Sequence, residues 1–312
     1  MVDPHGRPTH PIFVPYGITS RSPLLESDYN LHKSNSTYFS DLDIARTALV
    51  ARLYTPGIYM VSKEVERELL ASAEDKGKEK DGSNEKAIKE AKSYAKKAIY
   101  VAVGSVYCAF KREVKPFELF EVQSKIIAWD QKWLYIMSFF LRPAPGGKGK
   151  QTLLATALTK YVVKKGRLTI PPARVLRTNG LLPSLPECVA DKSASSELSS
   201  VDKKSLGATA TATATAMGIG TGTPANASGE QEVVDADADD GSSLERKVLT
   251  ISDDDAPDER VLAEKKKANA ESSNASEWSY EMIEQERRRG MHVVEGYAHL
   301  DAKVHAEWEG AD

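Results

Sequence analysis

"DYNLHKSNSTYFSDLDIAR" (residues 28–46) changes character midway, from small polar side chains to the opening of a helix. Continuing through "STYFSDLDIARTALVARLY" (36–54), Tyr38, Leu42, Ala45, Leu49 and Leu53 recur at spacings of three and four, the mark of one apolar helix face. Phe39 and Val50 widen that stripe, so the helix is expected to be covered on more than one side. Pro56-Gly57 reads as its stop. The polar run before it, with Asp28, Asn30, His32, Ser34 and Asn35, either caps the helix or works at its positive end.

On the upstream side, "HPIFVPYGITSRSPLLES" (10–27) is punctuated by proline and carries a strand over 17–26. Downstream, residues 58–98 read as more helix, interrupted by the charged insertion "EDKGKEKDGSNEK" (74–86). From residue 99 the period falls to two. "IYVAVGSVYCAFKREVKP" (99–116) alternates on both sides of Gly104, where a bulge is expected. "FELFEVQSKIIAWDQKWLYIMSFFLR" (117–142) holds two β-rich runs about a tight turn at Asp130–Lys132, and "QTLLATALTKYVVKKGRLTIPP" (151–172) adds another. One strand, one long buried helix, then sequential antiparallel strands imply an α+β fold with the sheet curled around the helix.

Composition sets the limits of that unit. Residues 1–10 read as a flexible N-terminus, 11–185 as the folded domain, 186–275 as a disordered acidic linker and 276–312 as an amphipathic helix. The linker has almost no aromatic residues and runs through "ATATATATA" and "SDDDAPDE", so it buries too little apolar surface to offset its ordering entropy. The net charge of −3 conceals basic clusters such as "KYVVKKGR" (160–167). Those cations are not interleaved with aromatics as in a nucleic-acid-binding signature, so no nucleic-acid partner is expected. The two cysteines, Cys108 and Cys188, have no paired spacing, and no metal-ligand spacing is present. No window reaches the ~18 apolar residues of a membrane span, and residues 1–20 lack a signal-peptide core. The expectation is a protein of the cytoplasm or of an organelle lumen without disulfides.

The order and content of these pieces resemble the fungal thioesterase-like hotdog proteins, relatives of the acyl-CoA thioesterases. The resemblance rests on "DYNLHKSNSTYFSDLDIAR" (28–46), similar to the family's Asp-x-x-x-His-x-x-Asn-x-x-Tyr followed by an acid and Arg on the helix. It continues in "FKREVKPFELFEV" (110–122), "WDQKWLYIMSFFLR" (129–142) and "KYVVKKGRLTIPP" (160–172). It implies the hotdog fold, a homodimer joined edge to edge, and acyl-thioester sites between protomers. The substrate would be an acyl-CoA or an acyl-carrier thioester, with CoA present only as part of the substrate and no separate cofactor.

By the same resemblance Asp28 is the nucleophile or general base, and His32 and Asn35 orient the water or the acyl carbonyl. Asp43, or Asp41, is the reserve acid on the helix. Amides around Asn35 to Tyr38, carrying the partial positive charge of a helix start, suit a developing oxyanion. Lys164, Lys165 and Arg167 would meet the CoA phosphates. Each residue also has a structural reading. Ser34 or Asn35 would be the N-cap, Asp28 would form an Asx-turn or pair with Lys33, and Asp43 would pair with Arg46 one turn on. The basic trio would be a solvated strand end. Trp129, Trp133 and Tyr135 read as core or dimer packing. His32 would be a hydrogen-bond link, being the sole histidine assigned to the folded unit because His5, His10, His292, His299 and His305 fall outside it.

Two other functions stay open. "DYNLH" is similar to a hydratase Asp-x-Asn-Pro-x-His motif but lacks its proline and is one residue short. A dimer that only binds acyl groups, or serves as a scaffold, would need no Asp28 at all.

Overall fold

A computed structural model of the chain describes residues 9–78, 97–144, 146, 149–183, 258–274 and 278–309. The elements are β1 (Tyr16–Arg21), α1 (Thr37–Lys78), β2 (Ile99–Phe110), β3 (Leu119–Trp129), β4 (Trp133–Arg142), β5 (Thr152–Lys165), β6 (Leu168–Ile170), α2 (Pro172–Thr178), α3 (Glu259–Asn274) and α4 (Tyr280–Glu309). The antiparallel sheet has the order β1-β3-β4-β5-β2, with β6 paired to β5. It curls around α1, which is the hotdog architecture expected from the sequence.

The period-two segments fall where the pattern puts them. Asp130 closes the β3–β4 turn by accepting from the amides of Lys132 (2.7 Å) and Trp133 (2.6 Å). The β2–β5 register shifts between Val103 and Ser105, so Gly104 is the bulge. A Cβ at Gly104 would strike the Trp133 ring, which only glycine avoids. The inner face of the sheet packs Phe120, Val122, Ile126, Ile136, Phe140 and Val163 against the α1 stripe, and Tyr38, Leu42, Ala45, Leu49 and Leu53 are all buried. Phe39 stays 39% exposed, so the stripe is narrower on that side than its sequence suggests.

Four expectations are corrected. First, β1 ends at Arg21, well short of residue 26. Second, Pro56-Gly57 does not stop the helix, which runs for 42 residues with Pro56 inside it. Pro56 withholds a donor from the preceding turn, but packing holds the chain helical. A Cβ on Gly57 would collide with the Val175 carbonyl, and buried Asn179 Nδ2 donates to the Leu53 carbonyl at 2.6 Å. Third, the expected linker contains α3, whose Leu262 is buried and whose Asn269 donates to the Asn179 carbonyl at 3.1 Å. The remainder of that linker up to residue 257, the N-terminal eight residues and the insertion from residue 79 lie outside the described residues.

Fourth, His10 belongs to the core. It is fully buried, its Nδ1 accepts from the Ile12 amide at 3.4 Å, and its ring meets Phe13 and Trp278 edge-on. An accepting Nδ1 must be unprotonated, and burial lowers the pKa from 6.5 to about 4. The unfolded chain therefore binds a proton in a window where the folded one does not. Stability is complete above about pH 6.5 and is lost as pH falls towards 4. Urea midpoints across that window should fall with pH in the wild type and flatten in His10→Gln.

The amphipathic C-terminal helix, α4, lies across the outer face of the sheet. Ile127, Ala128, Tyr135 and Leu158 receive Val294, Met291 and Tyr297. Arg287 donates to the Trp129 carbonyl at 2.6 Å, and Tyr297 donates to Ser105 at 2.7 Å. Gly290, a weak point by helix propensity, is where α4 comes down on β3: a Cβ there would overlap the Ile127 carbonyl oxygen. Among the described residues no helix is long and apolar enough to cross a membrane.

Candidate active site

The polar run ahead of α1 folds as a closed loop. Ser27 and Lys33 form a β-bridge, the Asp28 amide donates to the His32 carbonyl (2.9 Å), and the Ser34 amide donates to the Glu26 carbonyl (2.7 Å). Leu31 closes the tip at φ 59° with its amide on the Asp28 carbonyl (3.0 Å). A left-handed leucine costs about 1 kcal/mol or more, so the loop geometry is imposed by its closing contacts. Lys33 then docks the loop on the segment after β2, its amide donating to the Val114 carbonyl at 2.8 Å.

Asp28 and His32 are brought together by this closure. Asp28 Oδ1 accepts from the Asn30 amide at 2.8 Å, an Asx-turn, while Oδ2 faces His32 Nδ1 at 3.4 Å. Both side chains remain about a quarter exposed (27% and 25%), so solvent can reach the pair. The alternative pairing of Asp28 with Lys33 is not what forms: Lys33 is buried and bridges Glu26 and Asp41 instead.

Capping is not the use made of Ser34 or Asn35. Among the described residues neither side chain accepts from a first-turn amide. Ser34 Oγ bonds Ser36 Oγ (3.1 Å), and Thr37 secures the helix start by giving both its amide (3.0 Å) and its hydroxyl (2.8 Å) to the Ser34 carbonyl. The Thr37 amide is thus committed, and those of Asn35, Ser36 and Tyr38 are the open donors of the set. Asn35 itself is exposed.

The other sequence-selected residues lie elsewhere. Asp43 forms the i,i+3 pair with Arg46, whose guanidinium is buried and also reaches Thr159 Oγ1 at 2.6 Å and the Leu42 carbonyl at 3.0 Å. Asp41 faces Lys33, and burial raises its carboxyl while the ammonium opposes that shift. Lys165 is not on the surface: it is 2% exposed and donates to Ser62 Oγ on α1 at 2.8 Å. Lys164 is half-buried and Arg167 exposed, at the β5–β6 hairpin. Since Lys165 pairs with Ile99 while Ala155 pairs with Phe110, this basic end lies roughly 30 Å along the strands from the Asp28 loop of the same chain.

Around the loop, Tyr38 is buried against Phe110 and Phe140, with its hydroxyl pushed up to about 12 by burial and by the neighbouring Cys108, Glu118 and Asp41. Cys108 sits in β2 with its thiol raised by burial, which disfavours the thiolate a nucleophile needs. A cleft of about 570 Å³ opens between Lys115–Leu119 and Arg142–Ala144, and Phe117 stands there at φ 63°, 64% exposed. No cluster of metal-ligating side chains occurs among the described residues. Sequence reasoning missed Lys33 and Glu26 as site elements. The chain between them is a loop and not a continuous helix, so no periodicity pairs them and only the loop's closure brings them together.

Comparison with known proteins finds the following similarities. A model of the thioesterase-like superfamily matches residues 23–192. A thioesterase of Purpureocillium lilacinum is 40% identical over 200 residues, covering 64% of this chain and 58% of that protein. A thioesterase of Penicillium oxalicum is 38% identical over 197 residues, covering 58% of each. This chain therefore spans under two thirds of the length of both relatives. A crystal structure of a 4-hydroxybenzoyl CoA thioesterase mutant with 4-hydroxybenzoyl CoA aligns with 52% of this chain and 96% of its own, at 11% identity and TM-score 0.32.

Proposed function

The chain belongs to the thioesterase-like superfamily, and from that premise we propose that it hydrolyses acyl thioesters with Asp28 as general base or nucleophile. The carrying observation is the partly exposed Asp28–His32 pair, 3.4 Å apart, on a closed loop that feeds the start of α1. Asp28 Oδ1 is anchored by the Asn30 amide, so Oδ2 is the oxygen left to work. As general base it takes a proton from water as the water oxygen bonds to the acyl carbon. The carbonyl becomes an oxyanion, which the open amides at Asn35, Ser36 and Tyr38 suit. Collapse breaks the C–S bond and the proton passes to the departing thiolate. Asn35, exposed at the same turn, is assigned the role of orienting the acyl carbonyl. Asp43 is engaged by Arg46, which favours Asp28 as the working carboxylate.

The working unit in this proposal is a homodimer. β2 is a twelve-residue sheet edge presenting Val103, Tyr107 and Phe110, each more than 40% exposed. Such an edge is a template for pairing. Two copies meeting antiparallel along β2 would set the start of one β2 beside the end of the other. Lys164 and Arg167 of the partner subunit would then stand near the Asp28 loop, which they cannot reach within one chain. That supports a CoA phosphate site built across the interface from Lys164 and Arg167 but without the buried Lys165.

Thiol release from acyl-CoAs of rising chain length, and from acyl-carrier thioesters, tests the proposal. Turnover on either set supports hydrolysis, and comparing the sets identifies the carrier. Loss of enoyl absorbance from a trans-2-enoyl-CoA without thiol release would assign hydration instead. Binding with neither reaction would make the protein an acyl-binding module.

A further inference from the structure

We propose that Lys33 is a positioning residue for the Asp28–His32 pair, its ammonium locking the neck of the 28–32 loop to the first turns of α1. The inference rests on the thioesterase reading for its activity arm and on geometry for the rest. Lysine is almost never fully buried unless paired, and Lys33 is paired twice. Its side chain has no exposed surface, yet Nζ bridges Glu26 Oε2 on the ascending leg of the loop and Asp41 Oδ2 on α1, the latter at 2.8 Å. The Tyr38 and Phe120 rings lie 5.6 and 5.4 Å from Nζ, close enough for cation–π attraction.

Complete burial means that Lys33 touches neither substrate nor water, so it acts through what it holds. It sits next to His32 in sequence, its own amide is fixed to Val114, and the bridge to Ser27 places it opposite the residue before Asp28. Two backbone contacts and two ion pairs converge on this one residue. They fix both legs of the loop against the helix whose open amides would face the reacting carbonyl. Stability alone does not call for the charge. An apolar chain of the same length fills the space without desolvating an ion, and such replacements of whole buried ion clusters are often neutral or stabilising. What the triad adds is direction, because an ammonium between two carboxylates defines where the loop sits relative to α1.

The test uses the full chain and two variants, Lys33→Met and the neutralised triple Lys33→Met/Glu26→Gln/Asp41→Asn. Lys33→Met strands two carboxylates and is expected to lose thermal stability. The triple variant removes the whole charge set and is expected to recover most of it. Both should keep kcat about 10–100-fold below wild type with KM within about threefold, the signature of a misaimed group. Adding Asp28→Asn to the triple variant should cost less than the same substitution costs in the wild type, since part of the carboxylate's contribution is already lost to misplacement. Independently of substrate, hydrogen exchange at the Asp28 and Asn30 amides should quicken about tenfold or more in both variants at temperatures where the core stays protected. A triple variant that regains kcat along with stability overturns the proposal, as does unchanged exchange at those two amides. If the wild type releases no thiol from any acyl-CoA or acyl-carrier substrate, the thioesterase reading falls, and exchange alone decides the role of Lys33.

Discussion

Asp28→Asn is expected to lower kcat for thioester hydrolysis by about 10²- to 10⁴-fold, the range general-base catalysis contributes, while leaving the protein folded. The substitution suits the question because asparagine keeps the carbonyl oxygen that accepts from the Asn30 amide. The Asx-turn survives, the Asp28 amide still reaches the His32 carbonyl, and the new amide nitrogen replaces only the oxygen facing His32. With a partly exposed side chain and its turn intact, the change in stability should stay within about 0.5 kcal/mol. Thiol release read beside the thermal midpoint separates the outcomes. Full turnover in a folded Asp28→Asn would remove the carboxylate from the chemistry and pass the role to Asp43, which would then have to leave Arg46.

A second large effect is expected at Gly290. On helix propensity alone Gly290→Ala should stabilise α4 by about 1 kcal/mol. The docked geometry reverses the sign, because the new methyl would overlap the Ile127 carbonyl oxygen, a main-chain atom of β3 and not the far end of a flexible side chain. α4 must lift, and with it go the fully covered Ile283 and Val294. At about 2 kcal/mol for each buried aliphatic side chain, less the propensity gain, the net loss is about 3 kcal/mol. A lower thermal midpoint with faster proteolysis inside 280–309 is the expected pair of readouts. An unchanged midpoint would mean that the helix is not seated on β3.

Much of the sheet was legible from residue periodicity. The switch from a period near four to a period of two at residue 99, the glycine at the bulge and the aspartate at the turn are local signals, and the structure obeys each of them. The corrections share a different cause. Pro56 carries a local stop signal, overruled by Asn179 and by close packing at Gly57, both supplied from more than a hundred residues away. His10 reads as a flanking residue until Phe13 and Trp278 are seen to close around it. In the site, the polar run and its Asp–His spacing were readable, as was the i,i+3 pair at Asp43. The burial of Lys33 and Lys165 was not, because lysine ordinarily signals solvent and their partners stand far off in sequence. The same limit applied to α3, where a run rich in Lys, Glu and Ala resembles linker until Leu262 finds its contact.

The length of α1 has a mechanical consequence. At 1.5 Å per residue its 42 residues extend about 60 Å, about a third longer than the longest strand of the sheet. The part before Pro56 fills the curl of the sheet, and the part beyond it rests against α2 and α3, with Val61, Val65, Val175, Leu176 and Leu181 in one continuous core. A single rod thus serves as a tie-beam between a β storey and a helical storey. Neither storey can melt without loosening the beam on which the other is built, so the two are bound to unfold in one transition.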